Sequence, residues 1–338
     1  MTNSTTSENK QLVWDFWRQL SGGNSERLET EIRSHVHADV SWNGPHPINH
    51  LQGGDALIKE FWQPLLSSFP DLQRRCDVLI GGRYGGHDWV CATGNFTGTF
   101  DQDWLDIPAT GGEIHVRFGE FCRVTSGKVD EIYLIVDILD VMRQAGVQLL
   151  PPSLGTEGLV PGPAASDGVL LKDQDKLETE KSLALVEAMI AGLLSYDQVD
   201  LRSMGMAQYW QQNMRWYGPS GIGTSRSLTE FEDFHQRPFL EAFPDRRGGD
   251  HKARIADGNY VATTGWPSIQ ATHAGEYLGV AATNKQITMR VMDWWRREGD
   301  MLAENWVFID LVDLFLQFGI DLFDQMRRST DQRSNVQF

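Results

Sequence analysis

A chain of 338 residues, 41% of them hydrophobic, has enough apolar material for two ordinary buried cores and is not the composition of a disordered protein. Its formal charge of −16 makes a surface that repels phosphate backbones and anionic headgroups, so neither nucleic acid nor a membrane is an expected partner. The polar opening MTNSTTSENK has no signal-peptide core, no run nears the roughly 20 apolar residues of a membrane span, and three unpaired cysteines (Cys76, Cys91, Cys122) suit a reducing compartment, so a cytoplasmic location is expected.

The first predicted element is a helix, because Val13, Phe16, Trp17 and Leu20 recur at i, i+3, i+4, i+7 behind the polar run Thr5 to Lys10. Trp42-Asn-Gly44-Pro45 follows, then a helix over 55–66 that stops at Phe69-Pro70-Asp71. Three strand-like runs come next, WVCATGNF, EIHVRFGEFCRV and EIYLIVDI, and the last leads into a short helical turn ending at Gly146. A stretch rich in proline and glycine then reads as a linker.

Beyond the linker the series repeats. Val186, Met189, Ile190 and Leu193 restate the first helix, Trp216-Tyr-Gly218-Pro219 the W-x-G-P stretch, and Phe243-Pro244-Asp245 the end of the second helix, here expected over 229–242. ENWVFIDLVDLFLQFGI matches EIYLIVDILDVMRQAGV, putting Asp137 onto Asp310, Asp140 onto Asp313 and Gly146 onto Gly319 at an offset of 173 (310 − 137). The chain is therefore expected to hold a first domain over 1–148, a linker over 149–172, a second domain over 173–327 and a tail over 328–338. Helices followed by antiparallel strands make each copy α+β.

In EIYLIVDI, Tyr133, Ile135 and Asp137 share one face and Ile132, Leu134 and Val136 the other, so a strand covered on both sides is expected. In the second copy Trp306, Phe308 and Asp310 share a face. An ionised carboxylate there is costly unless paired, which allows either a hydrogen-bonded structural role or a base of raised pKa. Asp140 and Asp313 are expected to cap the final helical turns.

The order of helix, W-x-G-P, helix ending in F-P-D, strands, and a last strand running through aspartate into L-x-Q-x-G resembles the SnoaL-like polyketide cyclases of the nuclear-transport-factor-two-like superfamily. Ala-Thr-His273-Ala-Gly275-Glu-Tyr-Leu-Gly279 and Thr283-Asn-Lys285 resemble further stretches of that family, whereas the first copy has Phe100 in place of His273. The resemblance implies two tandem cone-shaped α+β barrels, each a curved mixed or antiparallel sheet with helices packed on it. It also implies a cofactor-independent aldol ring closure, with isomerisation sharing its first step, in which Asp310 and Asp137 serve as acid and base and His273 assists.

The expected substrate is a small hydrophobic or aromatic polycarbonyl compound. Trp216, Trp266, Trp306, Phe308, Arg290, Tyr133 and Trp42 are the candidate binding residues. Arg117 and Arg290 are equivalent and are expected to make salt bridges within the sheets; Arg290 is followed by Val-Met-Asp293, one place off the R-x-D of epoxide hydrolases in the superfamily. His46, His50, His87 and His115 lack ligand spacing, so no metal is expected. The alternative is a carrier with a hydrophobic cone and no chemistry. The copies are expected to pair as an internal pseudo-dimer or with those of a second chain.

Overall fold

The structure is a computed structural model describing residues 5–21, 25–158 and 160–334; residues 1–4 of the polar N-terminus and 335–338 of the expected tail lie outside it. Two helices open the first copy, α1 (Thr6–Gln19) and α2 (Ser25–His35). A capping box starts α1: the Glu8 amide donates to Thr5 Oγ1 at 3.3 Å and the Thr5 amide to Glu8 Oε2 at 2.7 Å. Its apolar stripe of Val13, Phe16, Trp17 and Leu20 is buried, as the spacing required. After β1 (Val36–Asn43) and β2 (His50–Gln52) comes a helical stretch made of α3 (Gly54–Ala56), a π-helical turn over Leu57–Trp62 and α4 (Gln63–Ser68). Pro64 lacks the amide that an α-helical bond would need, and the wider turn lies directly before it.

Strands β3 (Gln73–Tyr84), β4 (His87–Thr99), β5 (Glu113–Thr125) and β6 (Lys128–Val136) follow, and α5 (Ile138–Gln144) closes the copy. The sheet order is β2-β1-β6-β5-β4-β3, antiparallel except for the parallel pair of β1 and β6. The second copy opens with α6 (Lys176–Leu193), then β7 (Trp210–Tyr217) and β8 (Thr224–Ser225). Its middle helix is α7 (Leu228–Phe231), a π-helical turn over Glu232–Gln236 and α8 (Arg237–Ala242), with Pro238 where the first copy has Pro64.

The long third strand of the first copy is here divided into β9 (Arg247–Gly248) and β10 (His251–Asp257), followed by β11 (Tyr260–Thr272), β12 (Gln286–Glu298) and β13 (Met301–Ile309). Helix α9 (Leu311–Phe318) closes the copy, and α10 (Leu322–Ser334) extends through the start of the expected tail. The order β10-β11-β12-β13-β7-β8 repeats the first sheet, with β9 paired to β11 and β13 parallel to β7. Both sheets end in edge strands, so they are open curved sheets and not closed barrels.

The sheets stand back to back. Val78, Ile80, Phe121, Tyr133 and Ile135 of one meet Ala253, Ile255, Met292, Trp294 and Phe308 of the other in one apolar layer. Gly119 is required there: a Cβ at that position would lie 2.8 Å from the Trp294 ring and 3.0 Å from Phe308. Leu134 and Val136, by contrast, join the core under the helices, so the doubly apolar last strand has both faces covered. The linker straps the two copies together: Leu79 bridges Val169, Thr156 bridges Thr224, and Trp306 Nε1 donates to the Pro161 carbonyl at 2.9 Å.

Candidate active site

The second copy is hollow. Between α6, the π-helical turn and the concave face of its sheet lies a cavity of about 530 Å³, within the usual range for small-molecule sites. Its walls are largely apolar, with Trp210, Trp216, Phe231, Trp295 and Val307 among them, and its polar groups include Asp293, Asn305, His235, Gln236 and Thr263. Strand alternation aims Asp293: its neighbours Met292 and Trp294 point into the layer between the sheets, so Asp293 points the other way.

The Asp293 carboxylate is half-buried and makes no ion pair among the described residues. The Asn305 amide donates to its Oδ1 at 3.3 Å and to the Trp294 carbonyl at 3.1 Å. Burial pushes the Asp293 pKa up to about 7, only partly opposed by that bond. His235 stacks on Trp216 with ring centroids 4.2 Å apart, and burial lowers its pKa to about 3, so the imidazole is neutral. Among the described residues its Nδ1 has no partner, and neither amide atom of the buried Gln236 has one. Unmet polar atoms cost roughly 1–3 kcal/mol each, so several on one cavity wall suit a ligand that completes them.

The first copy fills the corresponding space. Arg74 on β3 reaches inward and pairs with Glu120 at 2.6 Å, both side chains at most 4% exposed. Its guanidinium lies 3.9 Å from the Trp17 ring centroid and 4.2 Å from that of Phe118. Strand register gives the counterparts. Arg74 faces Phe96 as Gly248 faces Ile269, and Ala92 faces Glu120 as Thr263 faces Asp293. Trp17, Arg74, Phe96, Phe118 and Glu120 thus become Ile190, Gly248, Ile269, Val291 and Asp293, all of which line the cavity. The plug of the first copy is removed in the second, and its carboxylate is left without a cation.

The aspartates expected from the sequence lie elsewhere. Asp137 and Asp310 are themselves the N-caps of α5 and α9, receiving the amides of Asp140 (3.2 Å) and Asp313 (3.1 Å). The expected caps are therefore displaced by three residues, because each strand gives way to its helix at the first aspartate; Asp140 instead holds Arg143 and Gln144. Each capping aspartate also receives an amide from the W-x-G-P loop of the opposite copy, Asp137 from Ser220 at 2.8 Å and Asp310 from His46 at 3.0 Å. Arg117 donates to the Gly218 and Tyr217 carbonyls, both at 2.8 Å, while Arg290 pairs with Asp310 at 3.1 Å and donates to the Gly44 carbonyl at 3.4 Å. These groups form a reciprocal clasp between the copies. Burial raises Asp137 to about 7 and Asp310 to about 6.

Of the other sequence candidates, Trp216 alone lines the second-copy cavity. Trp306, Phe308 and Tyr133 belong to the layer between the sheets, and Trp266 packs against Tyr133 with Arg290 over its ring. Trp42 fills the first copy against Phe61. His273, expected in a loop, is fully buried in the place of Phe100: it stacks on Phe318 at 3.9 Å, with Nδ1 3.0 Å from Thr283 Oγ1.

Sequence reasoning missed Asp293, Asn305, His235, Gln236 and Gly248. The signal that finds them is the difference between the copies, since Asn305, His235 and Gln236 occupy the places of the core residues Ile132, Phe61 and Trp62.

A search of curated proteins gave no match. Among solved structures the chain is similar to AclR of Streptomyces galilaeus (22% identity, 42% of this chain and 97% of that one, TM-score 0.34). It is also similar to a protein of Jannaschia sp. CCS1 designated a SnoaL-like polyketide cyclase (20% identity, 45% and 99%, TM-score 0.36) and to an NTF2-like protein of Burkholderia thailandensis E264 (20% identity, 40% and 95%, TM-score 0.33). No helix among the described residues is long and apolar enough to cross a membrane. The model of the SnoaL-like polyketide cyclases matches residues 11–145 and again 194–318, most of the chain in two segments. The chain belongs to the SnoaL-like polyketide cyclase family, with the domain present twice.

Proposed function

We propose that the cavity of the second copy carries out acid–base chemistry on a hydrophobic polycarbonyl compound, with Asp293 as the base. The observation that carries this reading is a carboxylate with no ion pair among the described residues, set in a largely apolar cavity beside neutral hydrogen-bonding groups. A pKa of about 7 leaves a large share ionised at neutral pH and still able to return a proton.

Asp293 takes a proton from a carbon flanked by carbonyls, and the electron pair passes into an enolate. Neutral His235 and the amide of Gln236, whose polar atoms have no partner among the described residues, are the side chains placed to hydrogen-bond an oxygen that gains charge. The enolate carbon then attacks a second carbonyl of the same molecule, a carbon–carbon bond forms, and the protonated Asp293 returns its proton to the new alkoxide. Return of the proton to a different carbon gives isomerisation.

The test is deuterium uptake from heavy water into the activated carbon of an aryl β-diketone. Exchange above the buffer rate is expected with the wild-type chain, together with a roughly 10²–10⁴-fold loss in Asp293→Asn. Binding of the diketone without any enhanced exchange would leave the cavity a carrier and end the catalytic reading.

A further inference from the structure

The cavity holds a second chemical feature, which the proton transfer does not use. Arg254 on β10, Thr263 on β11 and Asp293 on β12 are direct neighbours across three strands, so their side chains share the concave face. Two strand spacings put the Arg254 and Asp293 backbones about 10 Å apart. The first copy has Leu79 and Ala92 in this row, both buried in its core, so the second copy has exchanged a buried leucine for arginine.

Arg254 is poorly satisfied. Its acidic neighbour is the half-exposed Glu187 at 3.7 Å, and its buried Nε has no partner among the described residues. Beside it His251 also lines the cavity, its buried Nδ1 likewise without a partner. Arg254 does not neutralise Asp293, with which it makes no ion pair. In a chain of formal charge −16, three arginines line this cavity. Arg246 donates to the Leu193 carbonyl and Arg247 to Gln270, which leaves Arg254 and His251 as the pair on β10 with buried atoms unpartnered among the described residues.

We propose that this cavity takes an acid: an apolar molecule whose carboxylate is held by Arg254 and His251 while its carbonyl-bearing body reaches Asp293. A planar carboxylate accepts from Arg254 Nε and a neighbouring N–H at once, and the remaining lone pairs suit His251. A neutral ligand offers those donors a carbonyl acceptor at most, without the charge and the paired oxygens of a carboxylate. The inference rests on the cavity being the working site, and it adds the class of substrate and a specificity pair.

The test is isothermal titration of the full-length chain with 2-naphthoate and with methyl 2-naphthoate, ligands of matched ring that differ in charge. The wild-type chain is expected to bind the acid at least about tenfold more tightly than the ester, the usual scale of a charge-assisted hydrogen bond. Arg254→Leu, which installs the residue of the first copy, should erase that preference and leave ester affinity within about twofold, whereas Arg254→Lys should keep part of it. Equal affinity for acid and ester, or a preference that survives in Arg254→Leu, would overturn the inference and leave the role of Asp293 standing. If neither ligand binds the wild-type chain, the cavity reading itself fails and the inference goes with it.

Discussion

Asp293 should have a cost that can be measured apart from any activity. Its folded pKa of about 7 lies above the value of about 3.9 for an unfolded aspartate, so between those pH values the folded chain holds more proton than the unfolded one. Stability then falls as pH rises through that window, and the loss is complete above about pH 7. Asn at this position keeps the shape and removes the charge. Asp293→Asn is therefore expected to be more stable than the wild type by about 2 kcal/mol at pH 8, the full shift being discounted because the side chain is half-buried, and by less at pH 5. Urea unfolding at the two pH values checks this, and a variant less stable at pH 8 would show that the carboxylate is satisfied. Asp293 stood in view in the sequence, three residues after Arg290, but its one-place departure from a known spacing hid it. Whether a strand residue faces a cavity or another sheet depends on what covers each face, and alternation alone does not say which.

At the scale of elements, the two copies differ most in one strand. β3 runs unbroken and delivers Arg74 to the interior; its counterpart is split into β9 and β10, with Gly248 at the equivalent place and nothing within 4 Å of a Cβ there. Gly248→Arg is expected to rebuild the plug, pairing with Asp293 as Arg74 pairs with Glu120. Ligand binding should fall at least about tenfold with the fold intact, as a filled pocket demands; binding at wild-type strength in calorimetry would show that the cavity lies elsewhere. The reverse change, Arg74→Ala, strands Glu120 in the first core and should cost about 3–5 kcal/mol in urea unfolding. The opening and middle helices, the last three strands of each copy and the repeat itself were legible, because apolar periodicity and turn residues recur in register, whereas α2, the first three strands and the parallel pair of β1 and β6 were not read. The π-helical turns were not, since their wider spacing leaves little mark on a short apolar pattern. Yet Pro64 and Pro238 mark where each ends, and the second of these turns carries His235 and Gln236.

At the scale of the whole molecule, the back-to-back sheets give the repeated aspartates a symmetric structural role. They are symmetric because they pin each copy to the loop of the other, by Asp137 with Ser220 and Asp310 with His46. A family resemblance and an apolar face both pointed to them. The pairing of the two copies, which no local pattern encodes, supplies the Ser220 and His46 amides. In Asp310→Asn and Asp137→Asn the amide keeps one acceptor oxygen where the carboxylate receives two backbone amides, so the clasp is weakened at one bond, while folded molecules are expected to keep their turnover.

The most direct measurement is the rate of ring closure of an aromatic poly-β-carbonyl acid, per folded molecule, by Asp293→Asn, Asp310→Asn and Asp137→Asn side by side. The structure-based expectation is a loss of at least about a hundredfold for Asp293→Asn alone, with the two clasp variants near the wild-type rate. A full rate in Asp293→Asn together with loss in Asp310→Asn would contradict it and return the chemistry to the end of the last strand.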